Sequence, residues 1–295
     1  MKFLISNYSS DTQSECMYFN TALNLINSCR STIWNEASVS AYDIFDLVKP
    51  DFYLTHVSNI DASAYEYIKS TNNNIELIIN ITGIKQPNLN ALEQRMIADN
   101  VKCAFFFHNG GDNDLISKDN KIVNIGYGAD IFLGNNTMKY KIENAIFVGG
   151  ESEIKYYGDT CHTISTNRKI KDFVDIYLPI TKLSNLYDKY ENCIIRYFGN
   201  LVPQLFYDSV YYGNKVYYDL DSEDMRNHAS QKISKLLRLD IDITDKLSID
   251  TKAIRTAVQN RHTCLHRVKS LLSQLPCKDS ITNIENIIEH YIKKD

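Results

Sequence analysis

The sequence predicts an α/β fold: two Rossmann-like, doubly wound domains facing a cleft, with a helical tail at the C-terminus. Three observations predict it. Short, continuously apolar runs such as "IELIINIT" (75–82) and "VKCAFFFHN" (101–109) alternate with segments of helical period, and strands of that kind belong to parallel sheets covered on both faces. The alternation breaks once, at the turn-rich "HNGGDNDLISKDNK", and resumes as a second series. A length of 295 residues suits two modest domains, each with a core of its own.

The elements follow in order. "KFLIS" (2–6) is the first predicted strand. A helix over 12–29 comes next, with Thr12 and Glu15 as a capping box and Cys16, Phe19, Leu23 and Ile26 as one apolar stripe. "STIWN" (31–35) is a strand, and "AYDIFDLV" a helix capped by Ser40. Strands at 52–57, 75–82 and 101–109 enclose helices at 63–70 and 88–100, the latter after a loop opened by Pro87. "KIVNIGYGADIFL" (121–133) gives a strand, two glycines and Asp130. The second series contributes strands "AIFVGG" (145–150), "VDIYLP" (174–179), "NCIIRYF" (192–198) and "KVYYDL" (215–220). Helices over 223–238, 249–273 and 280–293 close the chain. The expected organisation is a first domain over 1–133, a linker over 134–143, a second domain over 144–278 and a last helical segment over 279–295.

Bulk composition excludes several classes. With 44% hydrophobic and 23% charged residues the chain is ordinary for a globular protein, and its formal charge of −4 gives no global attraction to nucleic acid or anionic membrane. No apolar run approaches the roughly 18 residues of a membrane span. "MKFLISNYSSDTQ" is too poor in apolar residues for a signal peptide, so a cytoplasmic location, in a bacterium or a phage-infected host, is expected. Seven cysteines at scattered positions have no metal-ligand spacing and read as buried thiols of a reducing compartment.

In doubly wound sheets ligands sit beyond the carboxyl ends of the strands, near helix N-termini whose N–H groups favour anions. The stretch "CIIRYFGNLVPQLFYDSVYYG" fits that placement. A strand turns into a helix at Pro203, which suits a first helical turn. The helix N-terminus then offers a seat for a diphosphate. Asp208 lies a turn and a half further on, and a carboxylate suits the two hydroxyls of a ribose. Gly213 is placed to end the helix at a left-handed position. The same pattern also fits an amphipathic helix with a solvated Asp208 and a glycine cap.

Pro203, Gln204, Asp208 and Gly213 stand at the spacing P-Q-x-x-x-D-x-x-x-x-G. This resembles the donor-site helix of GT-B glycosyltransferases of the spore-maturation-type, glycosyl transferase group 1-like branch. The resemblance implies that Asp208 binds the nucleotide ribose. Leu205 stands where that family has an arginine, and Tyr207, Tyr211 and Tyr212 also depart from its pattern. "RHTCLHRVKSLL" (261–272) is similar to a helix near the end of the same branch, with His262, Thr263, His266 and Arg267 as counterparts. "IGYGAD" (125–130) and "AIFVGG" are similar to the segments that close the first domain and open the second. The resemblance implies that the first domain binds the acceptor, the second binds a nucleotide-diphosphate sugar, and the last helix packs back on the first domain. The expected donor contacts are Gly149, Gly150, Arg196, Asn200, Val202, Pro203, Gln204 and Asp208, with His262 and Arg267 as phosphate or cleft contacts. No cofactor and no metal are required.

In the first domain, strand ends supply Ser9, Ser10, Asp11, His56, Asn80, Thr82, His108 and Asn109. Asp11 and His108 are the nominated catalytic residues, because a general base must reach the acceptor hydroxyl. Lys155, Arg168 and Arg196 are candidate cations for the leaving diphosphate. The acceptor is read as a hydroxymethylated base in double-stranded phage DNA, with "RKIK" (168–171) and "KISKLLR" (232–238) as basic segments. A cell-surface or small-molecule acceptor is the alternative. Two other readings stand beside this one: a metal-dependent GT-A-like transferase holding its ion with Asp219 and Asp221, and a non-catalytic nucleotide-binding scaffold.

Overall fold

Every strand pair registered among the described residues is parallel, as the unbroken apolar runs require. The structure is a computed structural model whose described residues are 1–6, 13–71, 74–108, 122–132, 142–147, 154, 161–165, 168–177, 190–196, 204–220, 223–239, 241, 251–276 and 278–292. The chain forms two compact units, Met1–Gly126 with Leu265–Asp295, and Tyr127–Cys264. Much of the segment expected as a linker, 134–141, lies outside the described residues; a strand starts at Ile142.

The first unit holds a sheet of β1 (Lys2–Ser6), β2 (Arg30–Trp34), β3 (Phe52–His56), β4 (Glu76–Asn80), β5 (Cys103–Phe107) and β6 (Ile122–Asn124), in the order β2-β1-β3-β4-β5-β6. Helices α1 (Gln13–Leu25), α2 (Ala41–Val48), α3 (Ala62–Ser70) and α4 (Gln86–Ala98) connect its strands. In the two central strands successive residues are buried, Phe52 to Thr55 and Leu77 to Asn80, so both faces are covered. Trp34, Phe45, Tyr53, Tyr65, Ile79 and Phe105 belong to one core, and burying each such side chain stabilises the unit by about 1.5–3 kcal/mol. Ser40 caps α2 as its sequence position predicts, accepting from the Asp43 N–H at 3.2 Å.

The second unit holds β7 (Ile142–Phe147), β8 (His162–Ser165), β9 (Ile176–Tyr177), β10 (Tyr190–Arg196) and β11 (Lys215–Asp219), ordered β11-β10-β7-β8-β9. Counted within the unit this is the 3-2-1-4-5 order of a dinucleotide-binding sheet, and the strand order reverses between β7 and β10. Helix α5 (Gln204–Tyr211) joins β10 to β11; α6 (Glu223–Leu237) and α7 (Thr251–Arg261) follow. Helix α8 (Cys264–Leu272) leads into the first unit, and α9 (Lys278–Ile292) ends the described chain. There Ser280 of α9 meets Ser28 at 2.7 Å, and Ser280, Ile284 and Ile288 form its buried face.

The strand expected at the start of 121–133 ends at Asn124, ahead of the two glycines, and Gly126 turns the chain at φ 61°. Two elements differ from expectation. The helix expected over 249–273 is two helices, broken at His262 and Thr263, whose backbone pairs elsewhere. Strand β8 was unanticipated: its Thr163 and Ser165 are polar yet buried, and Asp175 accepts from both the N–H and the hydroxyl of Thr163, at 2.7 and 2.8 Å.

Helix α5 ends as its glycine predicts. Gly213 adopts φ 78°, the Gly213 N–H donates to the Val210 carbonyl at 3.1 Å and the Asn214 N–H to the Ser209 carbonyl at 2.8 Å. That pair of bonds closes the helix with a left-handed residue. Gly213→Ala is expected to cost about 1–2 kcal/mol, read as a lower denaturation midpoint in thermal or urea unfolding.

Candidate functional site

Three sequence segments far apart in the chain converge within the second unit. The first is the strap Tyr127–Asp130, the second helix α5, the third residues 262–264. The Ala129 N–H donates to the His262 carbonyl at 2.7 Å, and the Cys264 N–H donates to the Ala129 carbonyl at 2.7 Å. Asp208 binds strap to helix: its Oδ1 accepts from the Asp130 N–H at 2.7 Å and from the Gln204 side-chain amide at 2.9 Å. The same Gln204 amide nitrogen donates to the Gly128 carbonyl at 2.7 Å. Tyr212, just past the helix, adds a third tie to the strap, its hydroxyl donating to the Asp130 carbonyl at 2.8 Å. The Tyr207 and His262 rings lie 5.7 Å apart, tilted by 30°.

Helical geometry explains the convergence. Gln204 and Asp208 are four residues apart and share one face of α5, with Tyr211 and Tyr212 a turn further on. Asp208 is only 4% exposed, so its carboxylate is a buried group that carries two donors. A buried backbone N–H such as that of Asp130 needs an acceptor, and among the described residues the strap has no sheet neighbour beyond the bridge at Ala129. The reading of Asp208 as a solvated surface acid is therefore corrected.

The Asp130 side chain is itself buried. Desolvation pushes its carboxyl up to about 7, opposed by the Phe132 N–H that Oδ1 accepts at 3.0 Å. Nothing in the composition of "GYGAD" signals this; a buried acid after two glycines looks like a turn.

In the first unit His108 is buried, with Nδ1 2.6 Å from the Gly126 carbonyl. A carbonyl oxygen only accepts, so Nδ1 carries a proton and Nε2 is the basic nitrogen of the neutral ring. The backbone N–H of His108 donates to the Thr82 hydroxyl at 2.9 Å, and that hydroxyl donates to Asn80 Oδ1 at 2.6 Å. The guanidinium of Arg267 lies over Gly126: a Cβ there would come within 3.7 Å of it. His108, Thr82, Asn80, Gly126 and Arg267 thus form one neighbourhood at the carboxyl ends of β4 and β5. His56 instead accepts from the Ser58 N–H at the end of β3.

Sequence reasoning missed Glu36. The Ser6 hydroxyl donates to its carboxylate at the carboxyl end of β1. Burial raises the Glu36 carboxyl above the usual range, against the lowering by Ser6, and Asp61 raises it further. Its position two residues after β2 carries no motif.

Asp11, Ser9, Ser10, Asn109, Gly149, Gly150, Lys155, Asn200, Val202, Pro203 and Asp221 lie outside the described residues. Arg196 closes β10 in register with Asp219 of β11. Arg168 opens a short 3-10 turn, Arg168–Ile170. Among the described residues no group of three or more His, Cys, Asp or Glu side chains could hold a metal ion, and no helix is long and apolar enough to cross a membrane.

No protein-family model and no curated protein matches the chain. Among solved structures it is similar to a UDP-N-acetylglucosamine 2-epimerase, at 11% identity over 99% of this chain and 96% of that one, TM-score 0.42. It is similar to MurG of Acinetobacter baumannii at 10% identity, over 99% and 98% of the two chains, TM-score 0.37. A co-structure of S. aureus MnaA with UDP is similar at 10% identity, over 98% and 95%, TM-score 0.36.

The raised Asp130 carboxyl has a measurable consequence. Between the ordinary carboxylate range and about pH 7 the folded chain holds a proton there that the unfolded chain has released. Stability from this group is present in full at acid pH and is lost as pH rises to about 7. Asp130→Asn keeps an acceptor for the Phe132 N–H and removes the titration. The variant's melting temperature is expected to match wild type near pH 4 and exceed it at pH 8, by a margin equivalent to at most about 4 kcal/mol. Parallel melting curves of wild type and variant across that range would contradict it.

Proposed function

We propose that the protein is a GT-B glycosyltransferase that moves a sugar from a nucleoside diphosphate to an acceptor hydroxyl. The observation that carries this reading is topological. Helix α5 follows β10, one of the two strands between which the order of the second sheet reverses, and ligands of doubly wound sheets bind at that reversal. Around this helix the three segments with glycosyltransferase-like motifs come together, the strap through Asp208 and residues 262–264 through Ala129.

The donor diphosphate is assigned to the residues that follow β7 and β10 in sequence, Gly149, Gly150, Asn200, Val202 and Pro203. Arg196 and the N-terminus of α5 counter its charge. Asp208, whose Oδ1 also holds the strap, is assigned the contact with the ribose hydroxyls. Gln204 orients that carboxylate. In the first unit His108 is the general base, with Asp11 as the second nominee. Its Nε2 takes the acceptor proton, the acceptor oxygen bonds to the anomeric carbon, and the carbon–oxygen bond to the diphosphate breaks. His262 buttresses Tyr207 of the donor helix, and Arg267 is a phosphate contact. The scheme uses no cofactor and no metal, and transfer that persists in EDTA separates it from a site built on Asp219 and Asp221.

The acceptor assigned for the first assay is a hydroxymethylated base in double-stranded DNA. Lys169, Lys171, Lys235 and Arg238 are exposed and supply cations for a phosphate backbone.

Nucleoside diphosphates titrated calorimetrically are expected to include one that binds. Asp208→Asn keeps an acceptor for the strap but removes the charge from that bond, so it is expected to lower the melting temperature modestly while weakening that diphosphate about tenfold; Arg196→Ala should weaken it as much. Failure of every diphosphate to bind sinks the reading, and binding without sugar release marks a scaffold instead. With a nucleotide-sugar panel and hydroxymethylated duplex, His108→Gln is expected to lower kcat by about 10²–10⁴ and leave KM unchanged. Transfer to small-molecule hydroxyls but never to DNA removes the DNA assignment alone.

A further inference from the structure

The carboxyl edge of the first sheet carries a concave site that the donor reading does not use. It is a shallow, largely open depression of about 550 Å³ between α4 and the turns after β3 and β4, within the size range of small-molecule sites. One face of α4 lines it: Asn88, Ala91, Leu92 and Arg95, at the spacing of consecutive helical turns. His56 and Thr82 stand on the loop side. The floor is apolar, since Leu92 packs against the main core of the unit. At Gly83 the wall is open, with nothing within 4 Å of where a side chain would begin.

Among the described residues that line this cavity there is no carboxylate, and its permanently charged group is Arg95. That guanidinium is already positioned, its carbon 4.4 Å from the centroid of the Tyr65 ring. Asp99 lies 3.9 Å from Arg95 Nε, but it is engaged more closely by Lys69 at 2.8 Å and by the Tyr65 hydroxyl at 2.7 Å. The positive charge of Arg95 is thus only partly countered. His56 Nδ1 accepts from the Ser58 N–H at 3.2 Å, so the neutral ring carries its proton on Nε2 as a donor. Asn88 brings an amide from the helix side.

We propose that this cavity binds a small molecule bearing one oxyanion, a phosphate or a carboxylate, on an apolar body. Arg95 grips the oxyanion as a planar fork, Asn88 and His56 donate to it, and the floor around Leu92 takes the apolar part. The proposal stands apart from the donor site and does not depend on it.

The test titrates the full chain with benzyl phosphate, benzoate, inorganic phosphate and benzyl alcohol, followed by calorimetry. One of the two aromatic anions is expected to bind with Kd of about 1 mM or tighter, the alcohol not at all, and the tighter anion identifies the group. Arg95→Gln should weaken binding about tenfold. Ala91→Phe, at an exposed helix position, should fill the mouth and abolish it with the melting temperature unchanged. The proposal is overturned if neither aromatic anion binds, or if both variants bind like wild type. It is overturned equally if inorganic phosphate binds as tightly as benzyl phosphate and ignores Ala91→Phe, which would mark an ion on a surface arginine.

Discussion

One constraint organises the strap of the second unit: its buried Asp130 N–H must find an acceptor, and the carboxylate of Asp208 supplies it. A strap of irregular chain has no ladder to satisfy its donors, and a buried N–H without an acceptor costs about 1–3 kcal/mol. Asp208 removes that cost from within a helix, where its backbone is already paired. Because the acceptor is a carboxylate, the bond is charge-assisted and about twice as strong as a neutral one. Gln204 then fixes the carboxylate from the other side and reaches the strap itself.

That arrangement ties the candidate donor chemistry to the architecture. Helix α5 must present one face to the strap and another to the sheet, and its eight residues allow both, with Phe206 and Val210 buried beside Asp208. The motif that looked like a ligand-binding signature is thus also a structural bracket. The bracket sets the orientation of the Asp208 carboxylate in advance, and Leu205 stands outside it.

Local chemistry was legible in the sequence. Ser40 capped its helix, Gly213 ended one, and the apolar runs from Phe52 to Phe107 became parallel strands because each such signal acts over a few residues. What failed to show was set by distant partners. The break at His262 and Thr263 arises from a bridge to Ala129, some 130 residues away. Strand β8 hides behind threonine and serine whose burial relies on Asp175. Asp208 could be nominated from its spacing, but its partner at Asp130, a separation of 78 residues, could not. In the first unit the His108 neighbourhood was half legible: the histidine follows an apolar strand, while the Gly126 carbonyl that fixes its tautomer comes from the next connection.

The bridge between Ala129 and residues 262–264 bears on how the chain can fold. The second unit is a continuous insertion, Tyr127–Cys264, within a first unit assembled from two separate segments. Insertions are tolerated where the ends of the inserted piece lie together, and here they are hydrogen-bonded to each other at 2.7 Å in both directions. The second unit therefore closes on contacts of its own, and the loop that it represents in the first unit is shut by the insertion itself. The entropy of joining Gly126 to Leu265 is met by folding the insert, which shortens the loop that docking of α9 against Ser28 and Cys29 has to close. An Asp208 substitution that opens the strap would loosen this closure.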